Sequence, residues 1–246
     1  MLNEQQLRLF RENGHVTVPS VFDKDEVAAA IADIETWSSE FLAQMSDEQK
    51  NWFLEKAMGA NTKLRKLDNP VFHRRQFQQM AKQSRLVEAV EQLIGPGVSV
   101  FFSQVFMKPP EGGGPKPVHQ DNFYFGPDHP DATLTVWIAI DDATVENGCL
   151  YYGDGSNQHA VIEHVAPPDE PFNLQVPAEQ MGGFVMTPAP VPSGGISFHH
   201  GNTLHQSAAN TSQRPRRAVA MHYLRNDARL ISPGLKYDDA MNVRIT

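Results

Sequence analysis

A change of hydrophobic period near residue 97 is the feature that most restricts the fold of this chain. Before this point apolar residues recur at helical spacing, and after it they alternate with polar residues or form short apolar runs. Gly95-Pro96-Gly97 separates the two regions, and both residue types end helices. The pattern predicts a helical N-terminal part over about residues 1–97, a β-rich core over about residues 98–224 and a polar tail, 225–246, without an assigned element.

The helical part has recognisable ends. Residues 3–13 form an apolar face and are followed by Gly14, which suits a helix C-cap. Asp23 and Glu26 form a capping box, so a second helix is predicted to run to about Gln44. A further helical pattern covers residues 76–95.

Two long stretches have no persistent period. Residues 45–75, which include Met58, are interpreted either as surface structure packed on the core or as a cover over a pocket. Residues 166–195 are a Pro- and Gly-rich connection whose length indicates a functional or mobile loop. Its apolar residues Met181, Phe184 and Met186 are candidates for a lid.

The β-rich region predicts about eight short strands with turns between them. The clearest are residues 98–107, 134–140, 149–152, 195–200 and 218–224, and residues 15–19 add a short strand near the N-terminus. Short strands at this spacing are typical of a sandwich or jelly roll. We therefore expect a mainly β fold with flanking α-helices, in one domain over residues 1–246.

Composition excludes several classes of protein. The net charge is −8 and the pI is about 5.6, which argues against nucleic-acid binding. No apolar run approaches the roughly 20 residues that span a bilayer, and the polar N-terminus does not resemble a signal peptide. A single cysteine, Cys149, is consistent with a reducing compartment. We expect a cytoplasmic protein, and the oligomeric state stays open.

The motif His119-Gln120-Asp121 is the strongest candidate for chemistry. In a strand, the side chains of residues two apart leave the same face, so this imidazole and carboxylate could bind one metal ion. A second histidine would complete a 2-His-1-carboxylate triad, which leaves coordination positions open and suits non-haem Fe(II). His205 is preferred because Gln206-Ser207 and, further on, Arg216 follow it. The other candidates were His159, His164, His199, His200 and His222.

The presence of Arg216 and Ser207 indicates which cosubstrate would bind to that metal. An oxo-diacid chelated to iron leaves a distal carboxylate, which an arginine fork and a hydroxyl would bind. Three arginines lie close together here, and we expect the other two, Arg214 and Arg217, to lie at the surface.

Taken together, these motifs resemble the phytanoyl-CoA dioxygenase family of Fe(II)/2-oxoglutarate oxygenases. The resemblance covers roughly residues 5–224. It is carried by the His119-Gln120-Asp121 motif, by residues 135–144 and 146–150, and by residues 205–212 leading to Arg216.

The resemblance implies a double-stranded β-helix (jelly-roll) core that binds Fe(II), 2-oxoglutarate and O2. It implies iron ligation by His119, Asp121 and His205, and cosubstrate binding by Arg216 with Ser207 beside it. Trp137 matches a residue that lines the cosubstrate pocket, while Gln104 is a pocket residue or an ordinary polar strand residue.

The implied reaction hydroxylates an unactivated C–H bond of a small molecule with release of succinate and CO2. The alternatives are a non-redox metal-dependent jelly-roll enzyme and a ligand-binding module, neither of which requires 2-oxoglutarate. Phe123, Tyr124 and Phe125 follow the motif as pocket or core residues, which favours a small hydrophobic or amphipathic substrate. No basic cluster stands out near the expected pocket mouth, which disfavours a CoA thioester.

Overall fold

The structure is a computed structural model that describes residues 2–55, 63–167 and 173–246. Met58, in the stretch interpreted as either surface structure or a pocket cover, lies outside these ranges. Within them the chain forms seven α-helices and eleven β-strands. The helices are α1 (Glu4–Asn13), α2 (Lys24–Gln44), α3 (Asp47–Phe53), α4 (Pro70–His73), α5 (Arg75–Ala81), α6 (Ser84–Ile94) and α7 (Asp121–Phe125).

The strands form two antiparallel sheets. They are β1 (His15–Val18), β2 (Lys66–Asp68), β3 (Val98–Lys108), β4 (Lys116–His119), β5 (Thr133–Ala139), β6 (Leu150–Gly153), β7 (Met186–Ala189), β8 (Ile196–His200), β9 (His205–Ser207), β10 (Arg216–Arg225) and β11 (Val243–Arg244). The major sheet has the order β1-β8-β5-β10-β3-β11, with β2 also paired to β3. The minor sheet has the order β4-β9-β6-β7. This is the predicted jelly-roll core with flanking helices.

The helix ends follow the predicted capping chemistry. The Asp23 side chain accepts from the Glu26 backbone N–H, while the Glu26 carboxylate accepts from the Asp23 N–H. Gly14 ends α1 at φ 80°, in the left-handed region that glycine tolerates. The single helix predicted over residues 76–95 is wrong in detail, because α5 and α6 are separate helices joined by a turn at Lys82 and Gln83.

The major sheet takes strands from all three predicted parts of the chain. β1 and β2 come from the N-terminal part, which was predicted to be essentially helical apart from one strand. β11 comes from the tail, which had no assigned element, and it pairs with β3. The predicted limits of the core, residues 98–224, are therefore too narrow for the sheet itself.

Both faces of the central strands are buried, and they differ in chemistry. On β5, Leu134, Val136 and Ile138 pack into the core beneath the helices, while Trp137 and Ala139 face the minor sheet. The same alternation on β10 places Ala218 and Ala220 towards the minor sheet. Arg216 shares their parity on the strand, which gives it a position on this inner face.

The C-terminal tail lies against helix α7. The backbone N–H groups of Ile231 and Ser232 donate to Gly126 O, and that of Gly234 donates to Tyr124 O. Gly126 has φ +55°, and a Cβ there would lie 2.2 Å from Ser232 O, so this close approach requires glycine. We call residues 230–237 the C-terminal strap.

No helix within the described ranges is long and apolar enough to cross a membrane.

Candidate metal centre and cosubstrate pocket

A cavity of about 450 Å³ lies between the two sheets. Its lining includes inner-face residues of β3, β5 and β10 from the major sheet and residues of β4 and β9 from the minor sheet. Ala220 forms part of the wall, and its small side chain leaves room at the centre of the sheet. This volume is in the range of small-molecule sites.

Three predicted ligands meet at this cavity. His119, Asp121 and His205 are buried, and each offers an atom within 4.8 Å of the others. Asp121 Oδ1 lies 3.8 Å from His119 Nε2 and 3.6 Å from His205 Nε2. Two imidazoles and one carboxylate form the donor set that binds non-haem Fe(II) and leaves open positions.

The local backbone differs from the strand arrangement that we predicted for the motif. β4 ends at His119, and Asp121 is the first residue of α7. The two side chains therefore converge through a strand-to-helix turn at Gln120, and not through the pleat of one strand. Their juxtaposition was predicted correctly, but its geometric reason was wrong.

Backbone carbonyls orient both histidines. His119 Nδ1 lies 2.8 Å from Pro117 O, and His205 Nδ1 lies 3.0 Å from Thr203 O. Because a carbonyl only accepts, each Nδ1 carries the proton and each Nε2 presents a lone pair to the cluster. Burial lowers the pKa of both imidazoles, which keeps them neutral.

Hydrogen bonds fix the second carboxylate oxygen of Asp121. Thr135 Oγ1 donates to Asp121 Oδ2 at 2.5 Å, and His199 Nε2 lies 3.1 Å from the same oxygen. Behind them, His222 Nδ1 lies 2.8 Å from Thr135 Oγ1, and Tyr152 OH lies 3.0 Å from His199 Nδ1. Oδ1 is left on the side of His119 and His205, the two histidines of the cluster.

These supporting residues were not assigned to the site from the sequence. His199 and His222 were considered as ligands and set aside as satisfied histidines, and the structure gives both of them hydrogen-bond partners. The alternation of side chains along β5 and β10 could have identified two of them, because it places Thr135 and His222 on the face that also carries Trp137 and Arg216.

Arg216 is a buried cation that faces the cavity, with 2 % of its surface exposed. Among the described residues, its Nε and Nη1 atoms have no hydrogen-bond partner. Its guanidinium carbon lies 5.4 Å from the centre of the Trp137 ring, and Ser207 lines the same cavity. Unpartnered buried donors are costly unless a ligand accepts from them, so the site fits a carboxylate such as the distal group of 2-oxoglutarate.

The other two arginines are not among the described lining residues of this cavity, and of these two predicted surface residues Arg214 is exposed whereas Arg217 is only partly exposed. Arg217 pairs with Asp141 at 2.8 Å and with Glu35 at 3.1 Å, and Arg214 is exposed. Gln104 lines the cavity, but its amide nitrogen donates to Asp68 Oδ1 at 2.7 Å.

Four further basic residues line the cavity, and we call them the cationic wall. They are Arg65, Lys66, Lys108 and Lys116. The sequence showed no basic cluster because these residues come from separate segments, on and beside β2, β3 and β4, and only the sheet brings them together. The absence of a basic run in the sequence therefore does not mean that the cavity lining lacks basic residues.

Four aromatic residues that line the cavity form an aromatic wall. They are Phe102, Tyr124, Phe125 and Tyr237, and Leu235 lies beside them in the lining. Two members of the predicted aromatic run thus reach the pocket, whereas Phe123 stacks on His164 at 4.1 Å. The predicted lid residues Met181, Phe184 and Met186 are not among the described lining residues. The tail, which had no predicted role, contributes Leu235 and Tyr237 instead.

A jelly roll with a His-Asp-His cluster and an inward-facing arginine defines an Fe/2-oxoglutarate-dependent oxygenase. A model of the phytanoyl-CoA dioxygenase (PhyH) family matches residues 10–218. The chain belongs to this family.

Individual proteins are similar over most of the chain. A probable alpha-ketoglutarate-dependent hypophosphite dioxygenase of Stutzerimonas stutzeri is 28 % identical over 93 % of this chain and 80 % of its own length. Phytanoyl-CoA dioxygenase 1 of Oryza sativa subsp. japonica is 26 % identical over 91 % of this chain and 89 % of its own length. The solved structure of SnoK, a non-heme alpha ketoglutarate dependent carbocyclase from nogalamycin biosynthesis, has a TM-score of 0.76 and 25 % identity, covering 100 % of this chain and 97 % of its own.

Proposed function

We propose that this enzyme is an Fe(II)- and 2-oxoglutarate-dependent dioxygenase that hydroxylates a C–H bond of a small organic molecule. In this proposal His119, Asp121 and His205 bind the iron, and Arg216 with Ser207 binds the distal carboxylate of 2-oxoglutarate. The observation that carries it is that the buried Arg216, in the same cavity as the three ligand candidates, has two guanidinium nitrogens, Nε and Nη1, without a hydrogen-bond partner among the described residues.

When bound, iron and 2-oxoglutarate supply the oxidising chemistry, in which O2 is consumed, 2-oxoglutarate becomes succinate and CO2, and a substrate C–H becomes C–OH. The protein's own residues hold and orient these groups. The carbonyls behind His119 and His205 keep their Nε2 lone pairs towards the metal position. Thr135 holds Asp121 with one oxygen directed to that position. Trp137 forms the pocket wall beside Arg216. We also assign Gln104 to the pocket wall, where its hydrogen bond to Asp68 holds its amide in place.

Anaerobic titration with Fe(II) and then 2-oxoglutarate tests this function. Bidentate chelation gives a weak visible charge-transfer band, and exposure to air should then release succinate. Asp121→Ala should abolish the band and the succinate, while circular dichroism shows a retained fold. Metal binding without the band would instead favour a non-redox enzyme or a binding module.

We also propose a single oxygenase domain over residues 1–246 in a cytoplasmic protein that acts on small molecules and not on nucleic acid. The pairing of β1 and β11 with the strands of one sheet supports the single domain. The buried free thiol of Cys149 agrees with a reducing compartment. The net charge of −8 agrees with the absence of nucleic-acid binding.

A further inference from the structure

A chain of buried hydrogen bonds runs between the two sheets to the carboxylate of Asp121. Tyr152 OH lies 2.8 Å from Ser197 Oγ and 3.0 Å from His199 Nδ1. His199 Nε2 in turn lies 3.1 Å from Asp121 Oδ2. Tyr152 belongs to β6 of the minor sheet, whereas Ser197 and His199 belong to β8 of the major sheet. All four residues are buried, so water does not compete for these hydrogen bonds.

The carboxylate fixes the direction of this chain. An ionised carboxylate only accepts hydrogen bonds, so His199 Nε2 carries a proton and donates to Asp121 Oδ2. Burial of the His199 ring disfavours its charged form, and a neutral imidazole has a single N–H. His199 Nδ1 is therefore an acceptor, and its donor is the Tyr152 hydroxyl. Because the hydroxyl proton is used in this way, the Tyr152 oxygen accepts from Ser197 Oγ.

The Tyr152 hydroxyl has a fixed position because its ring is held from the N-terminal strand. The ring stacks on His15 of β1, with centroids 4.2 Å apart and an interplanar angle of 16°. His15 Nε2 lies 2.8 Å from Asp154 Oδ1, which holds the imidazole in the stack. Without the hydroxyl, His199 Nδ1 would be a buried acceptor that has lost its donor. The preference of His199 for the tautomer that donates to Asp121 would then be weaker.

Two donors therefore meet on one oxygen of the carboxylate. His199 and Thr135 both donate to Asp121 Oδ2, which leaves Oδ1 as the oxygen that is presented to the metal position. Hydrogen bonds of this kind orient metal ligands and influence metal affinity. Tyr152 is not among the described lining residues of the cavity, whereas His199 is. Tyr152 can thus influence the metal position only through the residue that it contacts.

Resting on the proposed function, we propose that Tyr152 is a positioning residue of the metal centre, which acts through His199 to hold Asp121 with one oxygen towards the iron. The role belongs to the hydroxyl, so Tyr152→Phe removes it and keeps the ring in the core. Thr135 supports the same carboxylate oxygen from β5. Loss of the Tyr152 hydroxyl should therefore weaken Fe(II) binding and not abolish it. The iron and cosubstrate assignments do not depend on this role.

Tyr152→Phe and a matched control, Tyr223→Phe, test this role. Both tyrosines are fully buried, and Tyr223 OH donates to Ala81 O at 2.9 Å in the core beneath the helices. Fe(II) binding to the metal-free protein is measured by anaerobic competition. We expect Tyr152→Phe to raise the Fe(II) dissociation constant about tenfold and Tyr223→Phe to leave it within about threefold of wild type. The charge-transfer band with 2-oxoglutarate should shift in Tyr152→Phe and stay in place in Tyr223→Phe.

A double-mutant cycle with His199→Phe separates an effect through His199 from a general loss of packing. In the His199→Phe background, Tyr152→Phe should change the Fe(II) dissociation constant by less than about twofold, because the chain is already broken. The inference is overturned if Tyr152→Phe keeps wild-type Fe(II) affinity, if Tyr223→Phe weakens binding equally, or if the two substitutions in the cycle act additively. Failure of the wild-type protein to bind Fe(II), or to form the band with 2-oxoglutarate, would instead refute the proposed function itself.

Discussion

Replacing Arg216 by methionine should change cosubstrate affinity and protein stability in opposite directions. The guanidinium is buried, and its Nε and Nη1 atoms have no partner among the described residues. Burial lowers its pKa from 12.5 to about 10, which corresponds to a destabilisation of the folded state on the order of 3 kcal/mol. Methionine removes this buried charge and keeps much of the apolar contact with Trp137.

The same substitution removes the partner of the 2-oxoglutarate carboxylate. Losing two charge-assisted hydrogen bonds, each of ~1.5–3 kcal/mol, should raise the dissociation constant of 2-oxoglutarate about 100-fold or more. The free energy of unfolding without ligand should rise by ~1–3 kcal/mol, because the uncompensated charge is gone. The stabilisation that saturating 2-oxoglutarate gives the wild type should be lost.

Two measurements test this prediction: anaerobic titration through the charge-transfer band, and urea unfolding with and without 2-oxoglutarate. Arg217→Met is the matched control, since Arg217 pairs with Asp141 and Glu35 away from the cavity. It should keep 2-oxoglutarate affinity and lose some stability. Unchanged affinity in Arg216→Met, or weakened affinity in Arg217→Met, would refute the assignment of the carboxylate to Arg216.

Three further predictions concern the metal support, the strap and pH. Thr135→Val removes the 2.5 Å bond to Asp121 and should weaken Fe(II) binding about 10- to 100-fold in an anaerobic competition assay; unchanged binding would show that this bond does not position the carboxylate. Tyr237→Ala should broaden the range of molecules that stimulate succinate release, whereas Leu230→Ala, in the same strap but outside the cavity lining, should not; equal effects would indicate a merely structural strap. Burial lowers the pKa of His222 to about 4, so between pH 6.5 and 5 the unfolded chain binds a proton that the folded chain does not, and stability should fall by ~2 kcal/mol from this residue. Urea unfolding of the metal-free protein at the two pH values measures this loss, and a His222→Gln variant with the full wild-type slope would contradict the assignment.

The sequence alone determined the features that depend on local period and local chemistry. Capping residues place the start of α2 at the predicted position, and the apolar runs over residues 134–140 and 218–224 identify β5 and β10, which are buried on both faces. The His119-Gln120-Asp121 motif and the segment from His205 to Arg216 identified the candidate site, because together they supply the two imidazoles and one carboxylate of an iron triad and an arginine that can bind a carboxylate. The juxtaposition of His119 and Asp121 was predicted correctly, although the backbone between them is a strand-to-helix turn and not a strand.

Only the tertiary structure decided what surrounds that site. Thr135 and His199 reach Asp121 from β5 and β8, and Tyr237 reaches the cavity from a tail that has no period of its own. The cationic wall likewise gathers residues from separate segments, so no basic run marks it in the sequence. Such contacts join residues that are distant along the chain, and their geometry is set by sheet pairing and close packing, which local periodicity does not encode.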